Sequence, residues 1–112
     1  MKREEGAGYR HARLEGLIFQ ELRALLRDDI TDPALGSVRF TNIALSVDFR
    51  HVRIHFGVVA TKGKEIDNRK NIESALIRAT SFLRAQLAIA LDLKRVPDLR
   101  FVFDGILVEE DL

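Results

Sequence analysis

Between Asp67 and Leu93 the chain carries neither glycine nor proline, and its apolar residues recur with a helical period. Ile72, Leu76, Ala79, Leu83, Leu87 and Ala90 are separated by four, three, four, four and three residues, an average of 3.6. A straight helix of that length would reach ~40 Å at 1.5 Å per residue. A domain of this size has a radius of gyration near ~13 Å, so such a rod would overhang its core. The 112 residues leave no room for a second core. A bend is therefore expected at Thr80-Ser81, where hydroxyl side chains can bond back to helical carbonyls.

The remaining elements follow from period and punctuation. Leu14, Ile18, Leu22 and Leu25 give one apolar face to a helix from about Tyr9 to Arg27. It must stop before Asp32-Pro33, because proline disfavours helical geometry in the preceding residue. Asp32, Pro33 and Gly36 then suit the cap, first position and exit of one short helical turn. In Val38 to Val47 the alternation changes phase between Phe40 and Ile43, as a β-bulge near Asn42 would cause. From His51 to Val58 the alternation is nearly perfect, with Val52, Ile54, Phe56 and Val58 on one face and His51, Arg53 and His55 on the other. These two runs read as an antiparallel hairpin, followed by a loop at Thr61-Lys62-Gly63-Lys64. Val96-Pro97-Asp98 ends the helical region, and Leu99, Phe101 and Phe103 make a last short strand.

Composition excludes several functions. There is no cysteine, so disulfides, thiolate zinc sites and cysteine nucleophiles are out. No apolar run approaches a membrane span and no secretory signal is visible, so a cytoplasmic domain without membrane contact is expected. His51 and His55, four apart on a strand, lie ~13 Å from each other, too far for one metal ion. Nucleophile-elbow, Walker and dinucleotide-binding motifs are all missing, and no enzyme activity, metal or cofactor is expected.

Charge points toward binding. Eighteen basic and seventeen acidic residues give a net charge of only +1, but four acids (Asp104, Glu109, Glu110, Asp111) fall in the last nine residues. The first 103 residues therefore carry 18 bases against 13 acids, or +5. His51, Arg53 and His55 form one donor-rich stripe; Arg78, Arg84, Lys94 and Arg95 dot the helical arm and its exit. Guanidinium forks grip phosphates in pairs of hydrogen bonds. The aromatic residues fall mostly at core-phase positions, so binding would engage backbone and shape rather than stacked bases. The alternative is a protein-interaction module that uses an exposed sheet edge or helix, its charge merely solubilising it.

Several phrases occur together in a specific order: Asp32-Pro33-Ala34-Leu35, Ser46-Val47-Asp48-Phe49, His51-Val52-Arg53-Ile54-His55-Phe56, Phe82-Leu83-Arg84, and Val96-Pro97-Asp98-Leu99-Arg100-Phe101 with Asp104. Their order and spacing over residues 9 to 104 resemble the ribosome-binding factor A family. The resemblance implies an α+β, type II KH-like domain of αββααβ topology. Its three-stranded mixed sheet would be covered by helices, with a bend between the second and third. It further implies a monomer without cofactor that binds 16S rRNA on the free 30S subunit, assists late 16S rRNA maturation and is linked to cold adaptation. Arg84 and Lys94 match basic positions of the family. The family's helix kink aligns with Ala79-Thr80-Ser81, where serine stands in place of glycine, and no GxxG clamp occurs. The expected division is a flexible segment 1–8, an RNA-binding domain 9–104 and an acidic tail 105–112.

Overall fold

The computed structural model describes residues 2–60 and 69–108, and side chains from Gly8 onward within them. The elements are α1 (Lys2–Asp28), a 3-10 turn (Pro33–Leu35), β1 (Val38–Leu45), β2 (His51–Ala60), α2 (Arg69–Leu91) and β3 (Asp98–Val108). The strands form one sheet in the order β1-β2-β3, with β1 antiparallel and β3 parallel to β2. The parallel pairing requires a crossover, and α2 supplies it.

Both helices cover the same face of the sheet. Ile18, Leu22 and Leu25 of α1 and Ile72, Leu76, Leu83 and Leu87 of α2 are buried with Phe40, Ile43, Val52, Ile54 and Phe56. The opposite face is left to solvent. This is a KH-like α+β fold with a mixed sheet, as expected. The first turn also forms as expected: the Asp32 carboxylate accepts the Ala34 N–H at 3.0 Å, and Pro33 opens the 3-10 turn. The bulge is at Thr41, between the pairs Phe40–Phe56 and Asn42–His55, so Phe40 and Ile43 both point inward.

Some of these expectations change. The second helical region is one unbroken helix, so the chain has two long helices and not three. Thr80 does donate its hydroxyl to the Leu76 carbonyl at 2.9 Å, yet the helix runs through Ala79, Thr80 and Ser81. Ala79 packs against the core and Ser81 lacks the freedom of glycine, so nothing there favours a break. The body measures 53 × 27 × 21 Å, long enough to seat a helix of that length. Helix α1 begins at Lys2. Strand β3 continues to Val108, so residues 105–108 belong to the sheet and not to a tail. The extra residue Asp104 shifts the β3 register, and Gly105 takes φ +132, which hides the continuation from a simple alternation count. The tip Thr61–Lys64 and the acids Glu109, Glu110 and Asp111 lie outside the described residues.

Candidate nucleic-acid interface

The β1–β2 connection orients one end of the open face. Ser46 Oγ accepts the Arg50 and His51 N–H groups at 3.2 and 2.9 Å and donates to Asp48 Oδ1 at 2.6 Å. The Ser46 hydroxyl, and after it the Arg50 amide, hold the Asp48 carboxyl below the ordinary aspartate range. Phe49 closes the turn at φ 63, and its ring meets the edge of His11 at 5.4 Å. His11 Nε2 lies 2.7 Å from the Leu45 carbonyl and 3.2 Å from that of Ser46. Carbonyls only accept, so Nε2 carries the proton. Tied down in this way, the turn presents Arg50 at the mouth of the hairpin.

The parallel register decides what stands beside the β2 stripe. His51 is opposite Asp98, Arg53 is opposite Arg100, and His55 is opposite Val102. Arg53 and Arg100 are both exposed, and neither has an acidic partner among the described residues. His51 Nδ1 lies 3.8 Å from Asp98. A shallow depression of about 500 Å³ is lined by Ala44, Ser46, His51, Arg53, Asp98 and Arg100. A second, of about 350 Å³, is lined by Arg50, His51, Arg95, Val96 and Asp98. Because His51 and Asp98 border both, the two form one surface with four arginines and one carboxylate.

The residues singled out in the sequence are thus sorted. His51, Arg53 and Arg95 come together on this surface, and Lys94 is exposed beside Arg95. Arg50 and Arg100 join them; neither stood out in the sequence, because only the register with β3 and the turn geometry bring them in. Arg84 is half-buried and gives Nε to the Pro97 carbonyl at 3.1 Å and Nη2 to the Val96 carbonyl at 3.0 Å. It braces the α2–β3 loop and lies 3.8 Å from Asp98. Arg78, six residues away and hence ~120° round the helix, pairs with Asp32 at 3.2 Å on a different side. His55 faces Asp104 at 3.8 Å, and Thr41 donates to the same carboxylate at 3.3 Å. That end of the open face therefore carries a carboxylate beside the imidazole. Ala79, Thr80 and Ser81 lie on α2 away from these depressions.

Among the described residues no three His, Cys, Asp or Glu side chains converge on a point that could hold a metal ion, and no helix is long and apolar enough to cross a membrane. The family model of ribosome-binding factor A matches residues 10–111. The chain belongs to the ribosome-binding factor A family. Ribosome-binding factor A of Heliobacterium modesticaldum is 40% identical over 98 residues, covering 88% of this chain and 78% of that protein. Ribosome-binding factor A of Vesicomyosocius okutanii is 36% identical over 105 residues, covering 94% and 87%. The crystal structure of ribosome-binding factor A from Thermus thermophilus superposes with a TM-score of 0.70 at 24% identity, over 83% of this chain and 93% of that one. A homology model of the Thermus thermophilus ribosome-binding factor A, fitted into a cryo-EM map of its complex with the 30S subunit, gives a TM-score of 0.61 at 25% identity, over 80% and 89%. These relatives are named as binding factors.

Proposed function

We propose that this chain docks as a monomer onto the 30S ribosomal subunit in the cytoplasm. It would neutralise rRNA phosphates with Arg50, Arg53, Arg95, Arg100 and Lys94, with His51 as an added donor. The fitted 30S complex of the Thermus relative supports the partner, and the continuous arginine surface supports the chemistry. The observation that carries the reading is the Arg53–Arg100 juxtaposition, two adjacent exposed cations without an acid among the described residues. Like charges facing one another across strands destabilise a sheet, and an anion between them removes the repulsion.

The role is one of occupancy. By covering an immature rRNA helix the protein assists late 16S rRNA maturation, and it leaves when the mature surface forms. Cold adaptation fits this picture, since rRNA helices escape wrong pairings more slowly at low temperature. Arg84 acts indirectly by fixing the loop that carries Lys94 and Arg95, while Arg78 and His55 take no part. Sedimentation of the tagged protein through a gradient, with probing of the rRNA it protects, tests the reading. Co-migration with free 30S particles and protection of 16S rRNA are expected. Equal binding to translating ribosomes, or no rRNA protection, would contradict it.

A further inference from the structure

At the far end of the sheet a groove of about 490 Å³ lies between the C-terminal half of α1 and the start of β1. Its floor is apolar, with Leu26, Ile30 and Leu35, and its rim carries Arg23, Arg27 and Arg39. Arg27 is matched by Asp28 through bonds of 3.0 and 3.1 Å. Arg23 stacks over the Phe19 ring at 5.3 Å and Arg39 reaches the Gly36 and Val38 carbonyls, and among the described residues neither has an acidic partner.

The groove borders an open sheet edge. The Val59 N–H donates to the Ser37 carbonyl at 2.8 Å, which makes Ser37–Val59 and Arg39–Gly57 the bonded pairs of the ladder. Val38 and Phe40 therefore turn their own N–H and C=O groups away from β2. Leu45, in the same phase at the other end, has its edge covered: Glu15 takes its N–H at 2.9 Å and His11 gives to its carbonyl at 2.7 Å. At Val38, among the described residues, only the carbonyl is covered, by Arg39 at 2.9 Å.

We propose that this groove is a docking site for an extended acidic segment of a partner protein. The segment adds as a short strand beside Val38–Phe40, places alternate apolar side chains on the floor and sets its carboxylates against Arg23 and Arg39. The bulge at Thr41 limits the added pairing to about three residues. An apolar floor offers little to a sugar–phosphate chain, which favours a peptide over nucleic acid. The site lies ~17 Å along β2 from Arg53, so both surfaces can be occupied at once.

The test uses the whole chain and a fluorescent octapeptide that alternates glutamate with isoleucine, followed by anisotropy and by amide NMR shifts. Saturable binding with shifts at Val38–Phe40 is expected. It weakens ~tenfold for Arg23→Glu with Arg39→Glu, and similarly for a peptide N-methylated at alternate amides. The lysine–isoleucine twin does not bind, and Arg53→Glu with Arg100→Glu has no effect. Arg23→Gln alone, an exposed change on a helix surface, guards against misfolding and weakens binding in the same direction. Absence of saturable binding, indifference to the groove variants or to N-methylation, or loss through the Arg53/Arg100 variant would each overturn the proposal. Displacement of the peptide by an RNA oligonucleotide that shifts the same amides would also overturn it.

Discussion

Removing the Arg53–Arg100 pair should change how 30S binding depends on salt. Each phosphate contact releases condensed counterions, so log K falls against log salt with a slope of ~0.7 to ~0.9 per contact. If Arg50, Arg53, Arg95, Arg100 and Lys94 all engage, the slope is about −3.5 to −4.5, and a fourfold rise in salt weakens binding ~100- to ~500-fold. Arg53→Ala with Arg100→Ala removes two contacts and should flatten the slope by about 1.4 to 1.8. Arg78→Ala, on the side where that arginine pairs with Asp32, should leave it unchanged. The assay is binding of labelled protein to purified 30S subunits at 50 to 200 mM monovalent salt, with each variant's folding checked by circular dichroism. A slope equal to that of the unsubstituted protein in the double variant, or binding insensitive to salt throughout, would refute the assignment of this surface.

Substitutions at three other sites, one combined with a compensating change at Leu107, probe the scaffold. Arg84→Ala deletes two hydrogen bonds to the Pro97 and Val96 carbonyls and should cost about 1–2 kcal/mol in denaturant unfolding. Arg84→Lys should not restore it, because an ammonium lacks the fork, and the salt slope of binding should stay the same. At Gly57 an added Cβ would lie 2.8 Å from Leu107 Cγ, so Gly57→Ala should destabilise by about 1–3 kcal/mol. The double variant with Leu107→Ala should recover part of that, as a double-mutant cycle would show. Asp48 has a lowered pKa in the folded chain, so its carboxylate contributes stability above the ordinary aspartate range and loses it as pH falls through the lowered folded value. The stability difference between the native chain and Asp48→Asn should accordingly be constant near neutrality and vanish on acidification, by thermal melts across pH.

What could be read in the sequence was local. The α1 stripe, the Asp32-Pro33 turn, the phase slip at the β1 bulge and the two faces of β2 all follow from periods and turn chemistry within about ten residues. The missed features depend on distant partners. Strand β3 extends to Val108 because Gly57–Ala60 pairs with Gly105–Val108. Within its own sequence Asp104-Gly105 looks like an ending. The helical arm stays unbroken because Ala79 and Leu83 remain seated on the core, which no period count can register. Arg84 reads as a free cation on a helix until the loop at Val96-Pro97 folds back onto it. Arg53 and Arg100, 47 positions apart, become neighbours only through a parallel register fixed by the packing of the crossover helix.

That register gives the surface a property a merely solvating one would lack. Placing Arg53 beside Arg100 costs the free protein a few tenths of a kcal/mol or more, whereas opposite charges at such positions contribute roughly 0.2–1 kcal/mol. Arg100→Glu should then raise the melting temperature of the free chain by ~1–5 °C, since it turns a repulsion into a pair. The same change should weaken binding to 30S subunits, because it removes one phosphate contact and directs the Arg53 guanidinium to a carboxylate. Stability and affinity are expected to move in opposite directions for one exposed substitution. If Arg100→Glu lowered both, Arg100 would be a structural residue like Arg84. If it raised stability and left affinity untouched, the pair would lie outside the contact surface, and the cations around Arg50 and Arg95 would have to carry the binding without it.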